Sequence, residues 1–339
     1  NTEGCFNTAV GRTALDANTT GDRNVAIGLS ALSSNTTADC NVAVGQSSLG
    51  ANTTGANNVA VGHLALLANT TAANNTAVGM NSLTSNTTGA SNTSVGRSAL
   101  AANTTGATNV ALGCGALNAN TEGACNTAVG ACALKTQTTA NQNTAIGMLS
   151  MAATTSGIRN TAVGRQSMCA NTTGCCNVAV GSNALASGTT GDLNTAVGGA
   201  ALGSVNTGNE NTAIGACAMN TNTSGANNVA VGKDSLLANT TGAGNVGIGS
   251  DALEANTTAA NNTAVGRSSM QANTEGHSNV AVGKSSLDSN TTGDQNTALG
   301  FKTLCTNTTA DNNTAVGACS MLANTTGHSN VAVGCGSLV

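Results

Sequence analysis

Asparagine recurs along this chain at a fixed interval. Asn7, Asn24, Asn41, Asn58 and their equivalents through Asn177 to Asn330 are always 17 residues apart, twenty times in all. Each opens the same phrase, from Asn7-Thr8-Ala9-Val10-Gly11 to Asn330-Val331-Ala332-Val333-Gly334. A strict period without insertions means that each unit does the same thing one step further along an axis. The length of 339 residues would otherwise suggest two or three globular domains. Stacked units that touch only their neighbours predict one continuous solenoid over 1–339 without a linker.

Composition agrees. The chain has two Phe, no Trp, no Tyr and no Pro. Charged residues make up 7%, far below the roughly 25% of an ordinary soluble domain. That leaves Val, Leu, Ile, Met and Ala for a core that is narrow and long. The net charge of −4 points to no nucleic-acid or membrane-surface partner. No apolar run has the length of a membrane-spanning helix, so no membrane insertion is expected. The first residue is Asn1 and no signal peptide is visible, which suits a mature product or a window of something longer.

Counted from Asn1, the unit reads N-T-T-G-x-x-N-[TV]-A-[VIL]-G-x-x-[AST]-[LM]-x-[AST]. Gly and Asn-Thr-Thr break every window before two helical turns accumulate, which excludes helix. The β-branched eighth position favours strand. The prediction is an all-β parallel solenoid, a β-roll, of twenty 17-residue rungs. Each rung would carry two short strands, at unit positions 7–11 and 13–17. Stacking at ~4.8 Å per rung gives roughly 95 Å. Positions ten and fifteen are always aliphatic or Met and are expected to make the core, as at Val10, Leu15, Ile27, Leu32, Val180 and Leu185.

The eleventh position is Gly in all twenty units, including Gly11, Gly28, Gly45, Gly181 and Gly334. It should need positive φ or a close backbone approach. The fourth is Gly in fifteen and Ala in five, so there glycine is only preferred. The opposite face of the first strand, Asn, Ala and Gly at seven, nine and eleven, is as restricted as the apolar one. Either the asparagines, Asn7, Asn24, Asn41, Asn58, Asn177 and Asn330 among them, form an internal amide ladder, or this face packs on another chain.

The phrase N-[TV]-A-[VI]-G, followed by small and apolar residues and a Gly-containing turn, resembles the head repeats of trimeric autotransporter adhesins. It is also similar to the Asn-Thr-Ala-Val-Gly arrays of phage-type tail fibres. The resemblance runs the whole chain, at Ala9, Val10, Gly11, Ala14 and their equivalents. Here the unit is longer, and Asn replaces Ser at the strand start. The resemblance implies a left-handed roll, usually three chains side by side, displayed on a cell or virion surface.

Asn-Thr-Thr and Asn-Thr-Ser are glycosylation acceptors. They make Asn18, Asn35, Asn52, Asn69, Asn86, Asn103, Asn171 and Asn239 candidate carriers of covalent glycans, with further sequons at Asn74, Asn92, Asn261 and Asn312. Against that, the same residues are ordinary turn residues. Thr persists at the second position where Asn is lost at Gln137, Thr154, Gly188 and Val205, which favours a structural Thr ladder. Twelve Cys in an extracellular chain suggest disulfides. Cys114 with Cys132, and Cys319 with Cys335, lie on successive rungs in neighbouring columns, within the reach of such a bond. There is no CxxC pair, no repeating carboxylate pair and no calcium-roll motif. His63, His277 and His328 are scattered. No metal, no cofactor and no catalysis are expected.

The expected function is a structural segment of an extracellular fibre, with copies of itself as partners. It carries no divergent capping repeat, so it should extend end to end. The second reading is a trimeric adhesin or tail-fibre shaft with chains side by side and the Asn7–Ala9 face buried between them. The third is ice binding through the Thr columns at positions two and three.

Overall fold

The computed structural model describes residues 2–204 and 207–338. The fold is described in two compact units, Asn1–Thr173 and Gly174–Val339. Among the described residues the first unit holds ten strands, β1 (Thr8–Val10) through β10 (Thr161–Val163). The second holds ten more, β11 (Val178–Val180) through β20 (Val331–Val333). Within each unit, neighbouring strands pair in parallel with a constant shift of one repeat, as in Thr8↔Val25, Ala9↔Ala26 and Val10↔Ile27. Equivalent residues therefore stack in unstaggered columns, and the fold is the all-β parallel solenoid that the period demands. Val205, one of the four departures from the first-position Asn, lies outside the described residues.

Each rung contains one strand of three residues rather than two strands. The second segment is a series of turns because two of its residues take the left-handed conformation. In the second rung these are Ser30 (φ 55°) and Leu32 (φ 51°). Extended pairing is impossible at such angles, yet the segment still binds its neighbours. The Ser30 N–H donates to the Arg12 carbonyl at 3.0 Å and the Leu32 N–H to the Ser48 carbonyl at 3.0 Å. The Ala31 N–H closes a turn on the Gly28 carbonyl at 3.3 Å. Bonds alternate between the rung behind and the rung ahead, so the backbone stays satisfied without a ladder.

The core differs from the expectation at position ten. Val10, Ile27 and Val180 are exposed, Val180 at 38%. Leu15, Leu32 and Leu185 are buried. What faces them across the interior is the small-residue face of the strand: Ala26, Ala43, Ala179 and Ala196 are fully buried, with Asn24 and Asn41 beside them. The reason is the pleat. Successive strand residues point to opposite sides, and the interior between strand and turn segment is thin. It admits one large side chain per rung, Leu or Met at position fifteen, and requires small ones opposite. From the second rung on, as at Asn24 and Ala26, the strand face that Asn7 and Ala9 begin is therefore inside its own chain, which removes the arrangement that buried it between three chains.

Candidate functional site

Two asparagine columns run through each unit. At position seven, Asn24 Oδ1 accepts the backbone N–H of Asn41 at 2.9 Å. Its Nδ2 donates to the Ala38 carbonyl of the rung ahead at 2.8 Å. At position one, Asn35 Nδ2 donates to Asn18 Oδ1 at 2.9 Å and to the same Ala38 carbonyl at 3.1 Å. The carbonyl at position four thus receives two amide donors, one from each column. The pattern repeats in the second unit, where Gly242 O accepts from Asn228 at 2.8 Å and from Asn239 at 3.1 Å. Asn7, Asn58, Asn177 and Asn330 occupy the same column: Asn7 Oδ1 and Asn177 Oδ1 each accept the N–H of the next asparagine at 2.8 Å. Asn58 and Asn330 donate theirs backward to Asn41 and Asn313.

This ladder uses the same asparagines that look like glycan acceptors. Asn18, Asn35, Asn52, Asn69, Asn86, Asn103, Asn171 and Asn239 are all buried. Their side chains point into the interior, as does Asn92, so a folded rung offers no acceptor nitrogen there. Asn74, Asn261 and Asn312, at position six, are exposed. The Thr at position two also bonds along the stack: Thr19 Oγ1 donates to the Thr36 carbonyl at 2.9 Å, Thr87 Oγ1 to Thr104 at 3.1 Å. At position two, hydroxyls spent on carbonyls do not form a free array for the ice-binding reading, which is left with the Thr column at position three.

Where the ladder residue changes, the bonding shows what the site demands. Gln137 keeps it: Nε2 donates to the Ala140 carbonyl at 2.8 Å and Oε1 accepts from Asn143 at 3.0 Å. Thr154 loses it. Among the described residues its Oγ1 is the one buried side-chain polar atom without a hydrogen-bond partner.

Gly11, Gly28, Gly45, Gly181 and Gly334 have φ of 128°, 136°, 132°, 138° and 126°. A Cβ on Gly181 would also lie 2.5 Å from the Gly198 carbonyl oxygen and 2.7 Å from its carbon. Both requirements hold at Gly11, Gly28, Gly45 and Gly181, and positive φ alone at Gly334.

All twelve cysteines are free thiols, Cys114, Cys132, Cys319 and Cys335 included. The side chains follow their own columns. Cys114 Sγ accepts from Arg97, directly behind it, at 3.7 Å. Cys132 Sγ sits over Gly115, 3.7 Å from where a Cβ would stand. Adjacent columns therefore keep their sulfurs apart. Burial raises the Cys169 and Cys305 thiols above their ordinary value. Among the described residues no group of three or more His, Cys, Asp or Glu comes together, and no helix is long and apolar enough to cross a membrane. His277 and His328 each accept a backbone N–H at Nδ1, from Ala260 and Asp311, both at 2.9 Å.

The chain matches no protein-family model and no curated protein sequence. The family reading therefore stands on the repeat phrase and the solenoid alone.

The surface that hydrophobicity conceals is the outer strand face. Columns eight and ten point outward: Ile27, Val61, Leu112 and Ile146 in the first unit and Val180, Ile214, Ile248 and Leu299 in the second are exposed. Column eight is Thr or Val in every rung and column ten Val, Ile or Leu, never charged. That restriction is the signal in the sequence, and it reads as core until the pleat is known.

Proposed function

We propose that this chain is a structural segment of an extracellular fibre and carries no catalytic role. The observation that supports this reading is the sameness of the inter-rung bonds. Each rung presents to the next an Asn Oδ1, an Asn Nδ2 and the strand backbone, in the same places. A rung added from any source would meet the same donors and acceptors, so an open, heterologous polymer is the natural product. Display on a cell or virion surface is the part of the proposal carried by resemblance to adhesin heads and tail fibres.

Electron microscopy of the purified protein at high concentration tests it. Filaments longer than one chain are expected. Particles that never exceed a single chain would overturn the proposal.

A further inference from the structure

The outer strand face of the second unit has the properties of a buried surface and no cover. Its ten strands put twenty side chains outward, at positions eight and ten. None is charged, and Val180, Ile214, Ile248, Val282 and Leu299 are all exposed. Fifteen of the twenty are Val, Ile or Leu and five are Thr, and at roughly 50 Å² each they offer about 1,000 Å² of mainly apolar surface. A contiguous apolar patch beyond a few hundred Å² marks an interaction site, and a stable pair buries about 800 Å² on each partner.

The two edges of this face differ in sign. Before the strands, positions five and six carry Asp192, Glu210, Asp294 and Asp311 and no Lys or Arg within this unit. After them, positions twelve and thirteen carry Lys233, Arg267, Lys284 and Lys302 against Asp234 and Asp251. Asp234 is taken up by Lys233 at 2.7 Å. The cations Arg267, Lys284 and Lys302 fall in three consecutive rungs, and Asp294 and Asp311 stand on the opposite edge of the last of these and the next.

We propose that this face docks on the same face of a second copy, with the two chains parallel and related by a two-fold axis along the stacking direction. Rotation about that axis preserves rung order and exchanges the edges. Rung for rung, Asp294 of one copy then meets Lys302 of the other at the same height, twice by symmetry, with Asp311 one rung further on. A two-fold axis along the strands would instead reverse the rungs and set acidic edge on acidic edge, which like-charge repulsion opposes. The outward columns of both copies become the dry layer of a two-sheet sandwich, ~10 Å thick. One face per unit closes with two copies.

The inference stands apart from the fibre reading: filament length tests that, and the number of chains in a cross-section tests this. Sedimentation equilibrium of the full chain at low salt should give a mass of two chains. I214K/I248K changes only outward side chains, and should give one chain with an unchanged circular-dichroism melt. D294K should weaken pairing on the order of ten-fold, and adding K302D should restore it, because the reversed pair again complements itself across the interface. A single chain or three chains for the unmodified protein would overturn the proposal. So would pairing that survives I214K/I248K, or a charge-reversed combination that does not recover.

Discussion

Asn24 Oδ1 receives the backbone N–H of Asn41 at 2.9 Å. A side chain of one rung thus fixes the main chain of the next at the point where its strand begins. The acceptor is buried and has no water to replace that partner, so losing it costs the desolvation of both groups. This explains why position seven tolerates nothing else in twenty units, while position one, whose Nδ2 shares a carbonyl already held, tolerates exceptions.

Thr154 should be repairable. Replacing it with Asn supplies an Nδ2 for the Gly157 carbonyl, which already accepts from Asn143 at 2.8 Å. It also removes the one orphaned hydroxyl. Thr154→Asn should stabilise by about 1–2 kcal/mol in a denaturant melt. A less stable variant would mean that the column is spaced differently at this rung.

Ala179→Asp and Val180→Asp are neighbours with opposite expectations. Ala179 is fully buried, and an unpaired carboxylate there costs several kcal/mol even after relaxation. Val180 points outward, so its replacement should cost the single chain less than about 1 kcal/mol. Thermal unfolding of the two variants at a concentration too low for association makes the comparison. Equal losses would invalidate the assignment of faces.

Gly181→Ala should be far worse than Gly225→Ala. Both added methyls meet the next rung: at Gly225 the contacts are the Gly242 carbonyl and, at 2.6 Å, Asn222 Oδ1. But Ala38, Ala72, Ala140, Ala259 and Ala310 fill that column elsewhere and remain buried, so a small shift accommodates them. Gly181 carries in addition φ of 138°, which an L-residue rarely adopts. A difference of at least ~1–2 kcal/mol is expected, and identical melting temperatures would refute it.

Leu193→Gly should stabilise. Leu193 has φ of 59° and is 57% exposed, so its side chain contributes little and its backbone is strained. The same column accepts Gly244 at φ of 67°. Relief of the left-handed strain, about 1–2 kcal/mol, exceeds the entropic cost of glycine, about 0.5–1 kcal/mol. The shift in denaturation midpoint reads the balance, and a lower midpoint would show that Leu193 packs usefully.

Asp288 should make stability fall with pH. Burial raises its carboxyl above the ordinary value, and the Lys302 ammonium opposes this only in part. The native state then holds its proton more tightly than the unfolded chain, so stability is greatest below the ordinary value of ~3.9. It is lost as pH rises through the raised native value. Asp288→Asn removes the dependence, and should exceed the parent in stability at pH 7 by more than at pH 3. A variant less stable at pH 7 would contradict the sign.

The period, the parallel stacking and the strand position were legible because repetition inside one chain reports constraint directly. The facing of the strand was not. Val10 and Ile27 look like core, and by hydrophobicity alone they are. In so thin an interior, constancy marks burial better than size does: Ala26, Asn24 and their equivalents barely vary because they have no room to. The second strand misled for a local reason. Leu32 sits at φ of 51° while fully buried, a conformation that propensity assigns to Gly or Asn. The sequons misled because the turn chemistry and the acceptor motif use the same letters.

The amide column has a consequence for how such a structure comes apart. Asn24, Asn41 and Asn58 each spend both their polar atoms on the rung ahead. If one rung opens, the asparagine behind it is stranded with neither partner. The rung ahead loses less, since its position-four carbonyl keeps its own first-position amide, as Ala38 keeps Asn35. Unravelling is therefore vectorial: an opening made anywhere within a unit travels toward lower residue numbers, and amide exchange should record it as a front with a heading.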